Sequence, residues 1–402
     1  MQAAFRARSA FELGLDACAF LFLPVLALAS RGAAPLVAVA GALALGLVAP
    51  DGIAAWRRLR GLALLFAALL LWGLISALWA VDPGRSLLTA ARLAGLFAAG
   101  LSLMAAAERI AAPRRLLACL IAGLAVAVVL TVLQFATGGE LTGPFRIRPF
   151  KDPLLNQVEN GFVLLLLPLA ATLVLRRRFV AAGLAAAATA TVIYLLVGTA
   201  AQAAFVVGIG AALPIYFKRR WFARAAAVAS VLLVLSAPLI FPSLIDVPAV
   251  QRRAADYKQS MQHRLQIWSF VGTRIAERPL SGWGLDSSRA IPGGKGLTPE
   301  GKMLLPLHPH NVALQAWLEL GVPGAVLLAL FIARLWLAFG AAAWPRLFAT
   351  AAGGSLVAAL TVALGSYGIW QEWWIGTEFL SLFLILVMAR LAAEKTPDDS
   401  RA

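Results

Sequence analysis

Long apolar segments recur along almost the whole chain, and they constrain the fold more than any other feature. A helix needs roughly 20 apolar residues to cross a bilayer, and about twelve segments meet or approach that length. The segments lie near residues 11–29, 34–49, 62–79, 87–107, 116–136, 161–175, 179–197, 201–217, 222–241, 312–339, 347–365 and 374–391. Because 61% of the residues are hydrophobic and only 13% are charged, the composition excludes an ordinary soluble protein. The sequence therefore predicts an all-α polytopic membrane protein with about 12 transmembrane helices.

Lysine and arginine collect in every second connection between these segments. The basic clusters lie at residues 6–8, 57–60, 109–115, 176–178, 218–224, 334–346 and 390–401. Cytoplasmic loops carry an excess of such residues, so this alternation predicts that both termini are cytoplasmic. The formal net charge of +16 follows from the same clusters, and we interpret it as topology rather than as binding of nucleic acid.

The chain divides into four parts by hydropathy. The parts are residues 1–241 with nine transmembrane helices, 242–309 with a large outer segment, 310–395 with three more helices, and 396–402 as a cytoplasmic tail. Within the outer segment, Met261, Leu265 and Trp268 begin a stripe with helical spacing. Such a stripe predicts amphipathic helices that lie on a core or on the bilayer surface.

The junction between the outer segment and the tenth helix holds two of the three histidines of the chain. His308 and His310 lie just before an apolar run, and Asn311 is well suited to cap a helix start. Gly321 favours a left-handed interruption about three turns later. Ionisable groups at membrane depth are rare and usually functional, which makes His310 a candidate catalytic residue; an interfacial histidine without function is the alternative.

The spacing around His310 resembles a family signature. His310 is followed by Asn311, nine residues, and then Gly321 and Gly324 in a Gly-x-x-Gly pattern. Bacterial O-antigen ligases carry His, then Asn, Ser or Gln, nine residues and Gly-x-x-Gly, and every constrained position matches. The resemblance implies a fold similar to the helical membrane glycosyltransferases of the GT-C type, with the large loop between helices 9 and 10 in the periplasm.

The same resemblance implies an activity. An O-antigen ligase transfers polysaccharide from an undecaprenyl-diphosphate carrier to a sugar hydroxyl of the lipid A-core, which completes lipopolysaccharide at the periplasmic side of the inner membrane. For this chain it implies a metal-independent, inverting glycosyltransferase without a cofactor, with His310 as general base and Asn311, Gly321 and Gly324 in supporting roles. The expected partners are the donor, the acceptor and membrane lipids.

Basic residues on the outer side run against the topological bias, so they require another explanation. Arginine holds phosphate oxygens in a bidentate fork, which suits a lipid diphosphate. Arg264, four residues before Trp268, and Arg289, which follows a Gly-Trp-Gly turn, resemble the loop arginines of the family. The other candidate diphosphate ligands are Arg85, Arg146, Arg148 and Lys151.

Several readings stay open at this stage. Arg85 could instead pair with Asp82 or a lipid phosphate, and His263 and His308 could be polar loop residues or ligands. A polysaccharide polymerase of the same superfamily would share the span count and the outer loop. A transporter of lipid-linked sugars would also need basic sites, although transporters tend to carry charges at the bilayer midplane and paired broken helices.

Overall fold

The computed structural model of the protein describes residues 2–140, 156–196, 198–257 and 259–394. Across these residues regular structure is helical, and the one β-type pairing is an isolated bridge between Leu297 and Met303. The helices are α1 (Gln2–Ala29), α2 (Ala33–Val48), α3 (Arg60–Ser76), α4 (Pro83–Ala106), α5 (Pro113–Ala136), α6 (Asn156–Leu175), α7 (Phe179–Leu195), α8 (Thr199–Gly210), α9 (Ala212–Ser243), α10 (Pro248–Tyr257), α11 (Gln259–Glu277), α12 (Val312–Ala341), α13 (Arg346–Gly365) and α14 (Glu372–Ala393).

The prediction of an all-helical polytopic membrane protein is confirmed. In the described part of the chain, nine apolar helical stretches are long enough to cross a membrane, and the first, Arg8–Gly52, includes both α1 and α2. Helices α7 and α8 are also apolar but shorter, with 17 and 12 residues. The outer segment contributes the two polar helices α10 and α11.

One predicted segment has different bounds in the structure. The apolar run 201–217 is divided between α8, which ends at Gly210, and α9, which begins at Ala212 and contains a break at Lys218. Ala211 between them keeps a right-handed helical backbone (φ −71°, ψ −15°). Gly210 precedes this boundary and Pro214 follows it, but a hydropathy profile does not register either residue as the end of a helix.

Arginines near one end of the bundle bind helix ends. Arg219 donates to the carbonyl oxygen of Ala342 at 2.7 Å, and Arg390 donates to that of Ala107 at 2.7 Å. Arg114 and Arg176 both pair with Glu394, at 3.0 and 3.2 Å. The bonds from Arg219 and Arg390 satisfy carbonyl groups that helix ends leave without partners, and the bond to Ala342 lies at the opposite end of α12 from His310.

Helix α12 is the element that joins the bundle to the outer segment. It packs along α9, and it also contacts α3 and α11. In this group of helices, Trp268 of α11 packs edge-on against Phe241 of α9, with ring centroids 5.2 Å apart. The outer segment is thereby held over the start of α12, which is the region of the candidate site.

Candidate active site

The start of α12 positions the candidate catalytic histidine. Asn311 has an extended backbone (φ −156°, ψ 117°), and its side-chain oxygen accepts a hydrogen bond from the Leu314 amide at 3.0 Å. This bond satisfies one of the amide groups that a helix start leaves without a partner. The predicted cap is confirmed, and it places His310 directly before the first turn of a membrane helix.

The ring of His310 is oriented by a backbone carbonyl. Its Nδ1 atom lies 2.5 Å from the carbonyl oxygen of Ser366, in the connection between α13 and α14. A carbonyl can only accept, so Nδ1 carries the ring proton and Nε2 keeps its lone pair. Among the described residues, none forms a hydrogen bond with Nε2. That nitrogen is therefore available to accept a proton.

The surroundings of His310 favour its neutral form. Burial of the ring lowers the pKa of His310 to about 4. The bond to Ser366 opposes this shift, whereas the charges of Arg264 and His263 add to it. An unperturbed imidazole titrates near about 6.5. The ring is therefore uncharged at neutral pH, which is the state a general base requires.

The predicted loop arginines lie close enough to the histidines for their charges to act on them. Burial, together with interactions with His310, Arg289 and Arg264, lowers the pKa of His308 to about 2. Burial also lowers the pKa of Arg264, while Arg289 is exposed. Within the described ranges, neither guanidinium forms an ion pair or a side-chain hydrogen bond. Arg264, which acts on both histidines, and Arg289, which acts on His308, have unused donors and together form a site suited to an anion.

Trp268 explains why α11 reaches this site. Its indole nitrogen donates a hydrogen bond to the carbonyl oxygen of Pro309 at 2.9 Å, and its side chain is buried. Arg264 precedes Trp268 by about one helical turn and so lies on the same side of α11. The spacing of these two residues therefore places Arg264 on the side of α11 that contacts Pro309, the residue before His310.

Arg85 pairs with Asp286 and not with Asp82, the partner considered from the sequence. Its Nε atom pairs with Asp286 of the outer segment at 2.8 Å. Asp82 instead accepts a hydrogen bond from the backbone amide of Arg85 at 3.0 Å and caps α4. The alternative of a side-chain pair with Asp82 is wrong, because tertiary packing brings Asp286 to the guanidinium while Asp82 serves the helix start.

Sequence analysis did not identify Glu319, a fully buried carboxylate in α12. It accepts hydrogen bonds from the Asp286 amide at 2.6 Å, the Trp370 indole at 2.5 Å and the Gln315 amide at 3.0 Å. The backbone amide and hydroxyl of Ser288 also donate to it. Its signal in the sequence was an acidic residue within an apolar helix, which is unusual at membrane depth.

Helix α12 breaks at Gly321, and the outer segment fills the break. Gly321 has φ +62° and ψ −158°, so two carbonyl groups before it lose their helical partners. The amides of Trp283 and Gly284 take their place, with bonds of 2.9 Å to Leu318 and 2.8 Å to Glu319. The predicted interruption at Gly321 is confirmed, although the helix resumes at once.

Close packing explains both glycines of the Gly-x-x-Gly pattern. A Cβ atom on Gly321 would lie 2.4 Å from the carbonyl oxygen of Leu280, and the positive φ would add strain. A Cβ atom on Gly324 would lie 2.1 Å from that of Leu320. Gly321 is thus needed for the contact between the outer segment and α12, and Gly324 for the tight packing against Leu320 within α12, independently of any chemistry.

Three of the predicted diphosphate ligands lie outside the described part of the chain. The positions of Arg146, Arg148 and Lys151 fall outside the described residues. Asn160 of α6 donates a hydrogen bond to the hydroxyl of Tyr367 at 3.0 Å, next to Ser366. The described residues contain no cluster of three or more His, Cys, Asp or Glu side chains that could hold a metal ion.

The fold and the site define a class of protein. It is a multi-pass membrane protein in which a half-buried histidine at the start of a transmembrane helix lies near Arg264, which is also half-buried. Residues 184–329 match the family model described as O-antigen ligase, and this region includes Arg264, Arg289 and the whole His310 motif.

Known relatives agree with this match. The chain is 28% identical over 349 residues to a protein of Rickettsia conorii named "Putative polysaccharide ligase", with 82% of this chain and 80% of that protein covered. It is 35% identical over 167 residues to a protein of Rickettsia prowazekii with the same description, covering 39% and 40% of the two chains. These matches support a protein of the O-antigen ligase type.

Proposed function

We propose that this protein is an O-antigen ligase of the bacterial inner membrane. It transfers polysaccharide from undecaprenyl diphosphate to a sugar hydroxyl of the lipid A-core and so completes lipopolysaccharide. Its active site faces the periplasm, and both termini are cytoplasmic. The observation that carries the proposal is the free Nε2 atom of His310, which lies near Arg264 and next to His308, on which the charge of Arg289 acts.

The reaction needs one proton transfer and one displacement. The acceptor hydroxyl oxygen forms a bond with the anomeric carbon as its proton passes to Nε2 of His310. The bond from that carbon to the diphosphate oxygen breaks, and the diphosphate leaves with the electron pair. Because attack and departure occur on opposite faces of the carbon, a single displacement inverts the configuration.

Arg264 and Arg289 stabilise the departing diphosphate. Negative charge builds up on its oxygens in the transition state, and preorganised cations lower the barrier most where charge develops. Arg85 is already paired with Asp286, so we assign it to holding the outer segment in place. In this proposal cationic side chains supply the charge that a metal ion supplies in other transferases.

A purified-protein assay tests the proposal. Protein in nanodiscs receives the undecaprenyl-diphosphate-linked polysaccharide and lipid A-core, and the linked product is measured with and without chelator. Wild type should make the product in both conditions. His310→Ala should lose roughly 10²- to 10⁴-fold in rate, since general-base catalysis contributes about that much.

The control is His263→Ala, because His263 contacts the carbonyl oxygen of Met303 rather than Ser366. It should lose far less activity than His310→Ala. A polymerase would join two carrier-linked chains without needing lipid A-core, and a transporter would make no linked product. Near-normal turnover by His310→Ala would disprove the assignment of the base.

A further inference from the structure

His310 has a backbone conformation that a residue with a side chain rarely adopts. Its φ is +55°, in the left-handed region that favours glycine. Such conformations persist only where the surroundings impose them, and they cluster at functional sites. Two bonds hold His310 there, one from its ring to Ser366 and one from its backbone amide to Nδ1 of His308 at 3.1 Å.

The ring of His308 has little freedom to move. It is 4% exposed, and its Nε2 atom lies 3.0 Å from the side-chain amide of Gln371. A Cβ atom on Gly368 would lie 3.0 Å from two carbons of the ring. On the other side, the rings of His308 and His310 have centroids 4.2 Å apart. The Nδ1 atom that accepts from the His310 amide is therefore aimed by packing.

The bond from His308 has the form of a local turn. A side-chain acceptor that binds the amide two residues later is the arrangement of an Asx turn. An asparagine oxygen is the same number of bonds from the backbone as Nδ1 of histidine, so asparagine can replace this bond. Leucine fills a comparable space but accepts nothing.

We propose that His308 is a positioning residue for the reaction: its Nδ1 atom holds the backbone of His310 in the left-handed conformation that aims Nε2 at the acceptor hydroxyl. The proposal rests on the proposed function, in which His310 is the base. His308 contacts no reacting atom, and it acts through His310 alone. Nδ1 must be the unprotonated nitrogen of the ring; burial keeps the imidazole neutral, and its single proton then lies on Nε2.

The first test compares His308→Asn with His308→Leu. His308→Leu should lose about 10²-fold in kcat, since a small misplacement of a catalytic group costs about that much. Its KM for the donor should change little, because Arg264 and Arg289 are untouched. His308→Asn should keep kcat within a few-fold of wild type. Thermal unfolding of each variant, compared with wild type, reports on folding.

The second test separates positioning from a general structural role. Both changes are repeated in protein that carries His310→Ala. If His308 acts through His310, His308→Leu should cost almost nothing further in that background, since residues that act as a unit are not additive. An equal loss in both backgrounds, or wild-type kcat in His308→Leu, would overturn the proposal.

A third variant covers the case in which His308→Leu does not fold. Gly368→Ala leaves His308 intact but pushes on its ring, so kcat should fall while the KM of the donor is kept. This loss should also vanish in the His310→Ala background, and its persistence would count against positioning. Failure of the proposed function has a different signature, namely full turnover by His310→Ala itself.

Discussion

His310 combines three properties that a base needs: a fixed ring, a free lone pair and a neutral state. The first two follow from its bond to Ser366, which fixes the tautomer. The third follows from burial, which lowers the pKa of His310 to about 4. Arg264 has two effects in this arrangement: its charge favours a neutral imidazole, and in the proposed function it also attracts the diphosphate.

The pH dependence of the rate should reflect this shift. A base is active above its pKa, so kcat/KM should stay level from neutral pH down to about 5 and fall only as the pH approaches 4. An exposed imidazole would lose activity near about 6.5. In Arg264→Gln the acidic limb should move to higher pH, because a cation that lowers the pKa of His310 is removed. A wild-type limb centred near about 6.5 would contradict this prediction.

At the scale of elements, Glu319 joins three parts of the fold. It lies in α12 just before the break, and its partners Asp286 and Trp370 belong to the outer segment and to the connection before α14. Since the same connection supplies Ser366 to His310, this carboxylate links the loop that carries Arg289 to the segment that orients the base.

Loss of this carboxylate should destabilise the protein. Glu319→Leu leaves several buried donors without an acceptor, and each costs about 1–3 kcal/mol, so the melting temperature in detergent should fall sharply. Glu319→Gln keeps one acceptor oxygen, so its melting temperature should lie between those of wild type and Glu319→Leu. The control is Glu300→Leu, which removes an exposed carboxylate of the outer segment and should change the melting temperature little. Equal melting temperatures for Glu319→Leu and wild type would refute the role.

At the scale of the molecule, α12 has the site at one end and arginine-rich contacts at the other. The clusters around Arg219 and Arg390 bind helix ends, which gives them a structural role besides their effect on topology. The positive-inside rule predicts that this end faces the cytoplasm. The site then faces the periplasm, where the proposed donor and acceptor meet.

Cysteine labelling tests the orientation. In protein lacking Cys18 and Cys119, a Lys295→Cys variant places a thiol on an exposed position of the outer segment. A membrane-impermeant reagent should label it in intact spheroplasts. Arg57→Cys, exposed on a basic connection, should react only after lysis. The reverse pattern would invert the topology.

Local signals were sufficient for much of this fold. Hydropathy predicted the apolar helices, because a segment that must satisfy its own backbone in lipid is helical wherever it occurs. Asparagine at position 311 predicted the helix cap, and glycine at position 321 predicted the helix break. Each feature depends on the conformation of a single residue. The spaced motif predicted the family type, and the match over residues 184–329 agrees with it.

Only the tertiary structure decided what surrounds His310. Ser366 orients its ring from 56 residues away, and Trp370 reaches Glu319 from 51 residues away. Arg85 pairs with Asp286 rather than with Asp82, because the fold brings Asp286, which is 201 residues away in the sequence, next to the start of α4. Such partners carry no local pattern, since a hydrogen bond requires only that two groups meet in space. The sequence by itself therefore determined the helices and the motif, whereas long-range packing decided the protonation and direction of the base.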